Sequence, residues 1–255
     1  MPDVRVIVPN LRQYGRGGIK LMKMRSLPKA IVSWSSGKDS AYALHELRKT
    51  EAYELVGVLT TVTLSFHRVS MHGVREELLD AQIDSLGLPC HKIYIPHPCP
   101  NEVYERELAR VLKDAKRDGV THVVFGDLFL QDIRSYRERQ LHELGMRGVF
   151  PLWMRDTARL AREMLDAGIE ATVACVDLAK LDGSFAGRSF NAALLDSLPA
   201  GIDPCGENGE FHTFVSAGPM FGARIPVTVG EVIQREGFAF ADLARDNSPL
   251  SDRPN

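Results

Sequence analysis

The stretch Lys29-Ala-Ile-Val-Ser-Trp-Ser-Ser-Gly-Lys-Asp-Ser-Ala-Tyr-Ala-Leu-His-Glu-Leu47 reads as a strand, a sharp turn and a helix in immediate succession. Ala30-Ile31-Val32 is a short apolar, β-branched run of the kind that forms a buried parallel strand. Ala41, Leu44 and Leu47 recur at helical spacing and give the following segment one apolar stripe. Between them, Ser35-Ser36-Gly37-Lys38-Asp39-Ser40 lets the backbone turn with its N–H groups exposed, directly at a helix N-terminus. Unsatisfied amide donors and the helix dipole point the same way there, which favours an anion. Lys38 adds a mobile positive charge, and Asp39 a hard oxygen suited to Mg²⁺. The hexapeptide is therefore expected to cradle phosphate. A Walker A loop is excluded, because that motif needs two glycines and this turn has one. The competing reading is a serine-rich helix cap, but a cap needs one Ser or Asp rather than the whole turn.

The same alternation continues outward. Glu54-Leu-Val-Gly-Val-Leu-Thr-Thr-Val62 reads as a second buried strand, Val74–Leu86 as a helix ended by Gly87, and His91–Ile95 as a third strand stopped by Pro96 and Pro98. Asn101 is expected to cap a charged helix reaching Asp118, and Thr121–Phe125 follows as a fourth strand. Strands and helices alternating at this spacing predict an α/β fold with a parallel sheet and right-handed crossovers. Ligands in such sheets bind beyond the carboxyl ends of the strands. Ser35–Ser40, Thr60-Thr61 and Gly126-Asp127 all fall on that edge, which predicts one nucleotide site built from three separated segments.

Beyond residue 130 the rhythm changes. Gln131–Leu144 is a charged helix carrying Arg134, Arg137 and Arg139; Phe150-Pro-Leu-Trp153, a helix over 156–166 and a strand over 169–176 follow. Residues 188–198 read as helical, 201–209 as a glycine- and acid-rich loop, and 211–215 and 225–232 as strands. The expected organisation is a basic extension at 1–27, a nucleotide-binding domain at 28–145, a smaller α+β substrate domain at 146–241 and a polar tail at 242–255. The extension carries Arg5, Arg12, Arg16, Lys20, Lys23 and Arg25; it reads as a flexible tail or an RNA-binding arm, with Met22 or Met24 as an alternative start.

Composition narrows the function classes. The 255 residues carry 31 basic and 33 acidic side chains, a formal charge of −2, so no whole-molecule field draws the chain to nucleic acid. No apolar run reaches the length of a membrane span, and the N-terminal stretch lacks a secretory pattern. Four cysteines without a Cys-x-x-Cys pair suit a reducing cytoplasm. Cys90-His91 and His97-Pro98-Cys99 invite a zinc reading, but their spacing fits no standard finger, and metal binding there is left open.

Ser35–Ser40 resembles the Ser-Gly-Gly-x-Asp-Ser signature of the PP-loop ATP pyrophosphatases, with Ser36 where the first glycine usually stands. His72-Gly-Val-Arg75, Gly126-Asp127 with Arg134 and Arg137, Phe150–Trp153, Phe185-Ala-Gly-Arg188 and Asp203-Pro-Cys-Gly-Glu-Asn-Gly-Glu-Phe-His-Thr213 are similar to successive blocks of one branch of that superfamily, the diphthine–ammonia ligase (diphthamide synthetase) branch. The resemblance covers roughly residues 29–235. It implies a HUP-type, Rossmann-like nucleotide-binding domain with an appended substrate domain, and ATP-dependent adenylation of a carboxylate followed by amidation with ammonium. The acceptor it implies is a modified histidine of a translation elongation factor, or some other carboxylate such as a corrinoid or small metabolite.

The residues suit that chemistry. Lys38 and the amides of 36–40 (Ser36, Gly37, Asp39 and Ser40 among them) would stabilise departing pyrophosphate, with Mg²⁺ on Asp39 and Asp127, and Ser35, Thr60, Thr61 and Gly126 completing the ATP site. Arg134 and Arg137 clamp phosphate or substrate carboxylate, or form a solvated helix face. Glu207 and Glu210 orient ammonium or accept its proton, or face water around Gly206 and Gly209. His72 is a ligand contact or a local cap; Arg75, Arg188 and Asn208 complete the substrate set implied by the resemblance. Trp153 reads as a domain-interface anchor. No glutaminase domain fits beside these segments, so ammonia is expected free or from a partner, and a homodimer is compatible. Two other classes stay open: a tRNA-modifying PP-loop enzyme, which usually needs paired cysteines, and a non-catalytic nucleotide sensor.

Overall fold

The computed structural model describes residues 26–246. Along the chain run β1 (Lys29–Ser33), α1 (Lys38–Thr50), β2 (Glu54–Thr63), β3 (Arg68–Val69), α2 (Glu76–Leu86), β4 (Cys90–Ile95), α3 (Asn101–Arg117), β5 (Val120–Val124), α4 (Gln131–Glu143) and β6 (Arg147–Val149). The second half contributes α5 (Thr157–Asp166), β7 (Glu170–Asp177), β8 (Ser189–Phe190), α6 (Ala192–Ser197), β9 (Phe211–Ala217), β10 (Val227–Arg235) and β11 (Phe238–Arg245).

Strands β4, β2, β1, β5 and β6 lie side by side and parallel, with β3 pairing antiparallel to the far end of β2. The order reverses between β1 and β5, because the chain winds outward to β2 and β4, then returns to β5 on the other side of β1. In this architecture the crevice at such a reversal, here the carboxyl ends of β1 and β5, is where ligands bind. Successive side chains of a strand face opposite ways. Ala30 and Val32 accordingly pack with Leu44, Leu78 and Leu79 of α1 and α2, whereas Ile31 packs with Val111 and Leu112 of α3 and Leu141 of α4.

The second sheet is antiparallel and centres on β7, with β9 on one side and β11 and β8 on the other; β10 is its outer strand. Its apolar residues do not form a separate core. Val173, Phe214 and Val215, with Leu160 and Met164 of α5, join the same buried cluster as β1, α1 and α2.

Several expectations need correction. β11 extends through Arg245, beyond the expected start of the tail at 242, because Ala239, Ala241 and Leu243 alternate inward and bury against the sheet. β6 carries the first sheet past the boundary expected at 145, held by pairing to β5. Asn101 opens α3 as its first helical residue, and Pro100 occupies the cap position, with fixed φ suited to a helix start. Residues 188–198 split into β8 and a short α6 capped by Asn191, whose side chain accepts from Leu194 N. The expected basic extension lies outside the described residues up to position 25. No helix among the described residues is long and apolar enough to cross a membrane.

Candidate active site

The turn Ser35–Ser40 leaves β1 at the crevice and enters α1, as its sequence requires. Gly37 occupies the N-cap of α1, and no side chain caps it, so the serines serve the turn rather than the helix end. Ser35 Oγ accepts from Gly37 N at 3.3 Å and lies 3.1 Å from Ser40 Oγ, which donates to Gly37 O at 3.0 Å. Ser36, at the position of the family glycine, has φ 68°, in the left-handed region that disfavours residues bearing a Cβ. Its hydroxyl is buried without a partner, as is that of Thr60. Gly126, after β5, lies against the first turn of α1: a Cβ there would come within 2.6 Å of the Asp39 carbonyl carbon. Gly37 is similarly confined, since a Cβ would meet the His72 ring at 2.9 Å.

Lys38 departs most from expectation. It is not a mobile surface cation but is 1% exposed, beneath the second half of the chain. Its Nζ donates to both oxygens of Asp39, at 3.1 and 3.0 Å, and to the carbonyl of Cys205, and lies 5.5 and 5.4 Å from the ring centres of Phe190 and Phe211. Burial alone would lower its pKa, but the Asp39 carboxylate, with Cys205 and Asp203 nearby, more than offsets this and raises it; burial also raises the pKa of Asp39, against the pull of Lys38. Lys38 N donates to Thr213 Oγ1 at 3.1 Å, and Val215 N donates to Ser36 O at 2.9 Å. The hexapeptide thus faces the 203–215 segment and is bonded to it at three points.

Within that segment the two glutamates separate. Glu207 Oε1 accepts from Leu128 N at 2.7 Å and Phe129 N at 3.4 Å, so its carboxyl reaches across to the end of β5. Burial pushes its pKa up to about 7, helped by the negative charges of Asp39 and Asp127 and opposed by the Leu128 amide. Glu210 turns inward and is buried: its Oε1 accepts from Asp203 N and Asn208 Nδ2, each at 3.0 Å. Through Oε1 it staples its own loop, while its Oε2 is buried without a partner. Asn208 is exposed and makes that same staple rather than a contact in the crevice.

The arginines also divide. Arg137 lies 3.0 Å from Asp127 and stacks on Phe125, holding the carboxylate at the crevice. Arg134 pairs with Glu138 and lies in the corner formed by the edge-on rings of Phe150 and Trp153, 4.6 Å from each ring centre. Trp153 is therefore a stacking surface for a guanidinium. Arg75 does not reach the crevice; with Arg68 it grips Asp242 of β11, 2.7 Å away, and joins the two sheets. That carboxylate is held down to about 2, chiefly by its hydrogen bonds with Arg75. Arg188 donates to Ser197 Oγ at 2.9 Å and stacks on Phe185, a local support for α6. Thr61 is half-buried, and its carbonyl accepts from Ser70 N, a backbone contact of the β2–β3 region.

His72 does come to the turn. Its Nδ1 lies 3.2 Å from Thr213 O and its ring stacks on His212, 4.5 Å between centres. Burial, the neighbouring ring and Lys38 hold His72 well below its ordinary pKa, and burial first, then Lys38, brings His212 to about 4. The residues missed from sequence are Gln82, Thr213 and the Phe190–Phe211 pair. Phe211 and Thr213 lie in the block 203–213 that resembles the family, and Gln82 interrupts the apolar stripe of Leu78, Leu79 and Leu86.

Cys90, His91, His97 and Cys99 do not gather. His97 pairs with Glu236 at 3.7 Å, and Cys90 lies opposite Val58 in the β2–β4 ladder. Among the described residues no group of three His, Cys, Asp or Glu side chains could hold a metal. A cation in the crevice would thus take one or two carboxylates and complete its shell from a ligand's phosphates, a donor set that suits Mg²⁺.

Two family models match the chain: the diphthamide synthase N-terminal domain over residues 28–148 and the diphthamide synthase C-terminal domain over residues 156–247. A diphthine–ammonia ligase of Rattus norvegicus is 28% identical over 235 residues, covering 82% of this chain and 86% of the relative. The human protein of the same name is 26% identical over 238 residues with the same coverage, and that of Danio rerio 26% over 232 residues, covering 82% of this chain and 90% of the relative.

Proposed function

Because the chain belongs to the diphthamide synthase family and carries both of its domains, we propose that it is an ATP-dependent ligase that amidates a carboxylate with ammonia through an acyl-adenylate. The observation that carries this reading is the bonding of the acidic 203–215 segment onto the Ser35–Ser40 turn, which puts Glu207 and Lys38 at one crevice. A phosphate cradle and an ionisable carboxyl facing it are what activation and amidation of an acid require.

In this reading the turn and the first turn of α1 hold the pyrophosphate half of ATP, and the orphan hydroxyls of Ser36 and Thr60 face the ligand. A carboxylate oxygen of the acceptor attacks the α-phosphorus, and the bond to pyrophosphate breaks. Negative charge builds on the departing oxygens; backbone amides, the α1 dipole and Lys38, exchanging the Cys205 carbonyl for phosphate, stabilise it. Asp39, with Asp127 nearby, would hold Mg²⁺, which supplies further neutralisation of the phosphates. Ammonia then attacks the acyl carbon, AMP leaves, and the surplus proton passes to a base. Glu207, at about 7, is matched to that transfer near neutral pH. The acceptor is a diphthine-like carboxylate, as the names of the relatives indicate for those proteins.

The test is a reaction with ATP, ammonium chloride and a carboxylate acceptor labelled with ¹⁸O. AMP and pyrophosphate should form in step with the amide, and one ¹⁸O should pass into AMP. ADP and phosphate as products, or AMP free of label, would overturn the mechanism. Lys38→Met should slow AMP formation by about 10²-fold or more, the scale of losing one preorganised charge at such a site.

A further inference from the structure

Gln82 is a polar side chain on the buried face of α2, with 0% exposure. Trp34 Nε1, immediately before the turn, donates to Gln82 Oε1 at 3.0 Å. Gln82 Nε2 donates to Ser36 O at 3.1 Å and to Val215 O at 2.7 Å. Ser36 O also accepts from Val215 N. Two of these four bonds end on the carbonyl of Ser36, the residue of the hexapeptide with positive φ. A side-chain-bearing residue keeps that conformation only where its surroundings over-determine it.

We infer that Gln82 is a positioning residue for the phosphate cradle. Its amide fixes the Ser36 carbonyl and thereby holds the left-handed bend on which the shape of the turn depends. Because the same amide group also binds Val215 O on β9, and Val215 N binds Ser36 O, docking of the second sheet completes the restraint on the bend, so α2 couples domain docking to a formed cradle. The inference rests on the proposed ATP reading for its effect on binding, not for the clamp itself.

Two readouts separate these. Gln82→Met keeps the side-chain length and removes the hydrogen bonds. In its crystal structure Ser36 should leave the left-handed region; a φ still near its wild-type value overturns the clamp, whatever the protein binds. By titration calorimetry with ATP and with pyrophosphate, Gln82→Met should weaken binding about tenfold, the factor expected when a strained turn loses its fixing bonds. Glycine adopts the left-handed bend unaided, so adding Ser36→Gly to Gln82→Met should restore most of that loss. A purely packing role predicts instead the same fold-loss with and without Ser36→Gly, and that additivity overturns the proposal. Gln82→Glu keeps the volume and the acceptor for Trp34 but removes the Nε2 donor, and gives the same comparison where Gln82→Met is too unstable. If the wild-type chain binds neither ATP nor pyrophosphate, the ATP reading fails and the Ser36 conformation alone decides the clamp.

Discussion

Replacing Glu207 by glutamine should stabilise the protein at alkaline pH while slowing its chemistry. Glutamine retains an acceptor for Leu128 N, so the bridge to the end of β5 survives; what disappears is an ionisable group in a half-buried position beside Asp39 and Asp127. The folded carboxyl holds its proton to about 7, against an ordinary value of 4.5. Between those limits the unfolded chain has released a proton that the folded chain still binds. The group's contribution to stability therefore falls as pH rises through that window and levels off above it. At about 1.36 kcal/mol per pH unit the gap corresponds to about 3.4 kcal/mol. Partial solvent access reduces this to about 1–2 kcal/mol. Urea unfolding of wild type and Glu207→Gln at pH 4.5 and pH 8 should show the variant gaining that amount, relative to wild type, between the two conditions. A stability difference independent of pH, or one moving the other way, refutes the reasoning. In the ATP, ammonium and acceptor assay the same variant should form amide at least about 10²-fold more slowly, the scale of removing a positioned acid–base group.

Asp242→Asn should destabilise the protein at pH 7 by about 1–2 kcal/mol, after discounting for a 27% exposed carboxylate. The folded pKa is depressed to about 2, so this contribution is present above pH ~4 and lost as pH falls toward 2. Thermal unfolding at pH 7 and pH 2.5 should show the wild type and variant converging in acid. Gly126→Ala drives a Cβ into backbone at 2.6 Å, and overpacking of this kind costs about 1–3 kcal/mol. Its ATP dissociation constant should rise more than that of a control such as Gly87→Ala, where a Cβ meets nothing within 4 Å.

What was legible in the sequence was local. The strand–turn–helix of 29–47 announces itself because apolar periodicity changes from none to 3.6 across six small and charged residues, and the parallel order follows from such units. Ser36 was visible as a departure from the family glycine, and the structure gives the physical content: a left-handed residue under external restraint. What the sequence does not show is the partner a side chain takes when that partner is distant along the chain. Arg75 meets Asp242 across 167 positions, and Lys38 meets Cys205 across the same span, so no local pattern tells a structural ion pair from a ligand contact. Glu207 and Glu210 look equivalent by spacing, yet the αL turns at Gly206 and Gly209 send one across the crevice and the other into its own loop. β11 escaped because two of its inward positions are alanine, which carries little strand signal, and Asp242 on its other face reads as loop.

The merging of the two sheets into one buried cluster determines how this gene can be cut. A fragment ending at Val149 would strip Phe214 and Val215 from the buried cluster that also holds Leu44, Leu78 and Leu79, and would lose the β9 contact that holds Ser36. Expressed alone it should be a sticky, poorly soluble polypeptide rather than a small nucleotide binder. Fusion partners, tags and split reporters belong at the chain ends, and unfolding should proceed as one cooperative event with no intermediate in which either half persists.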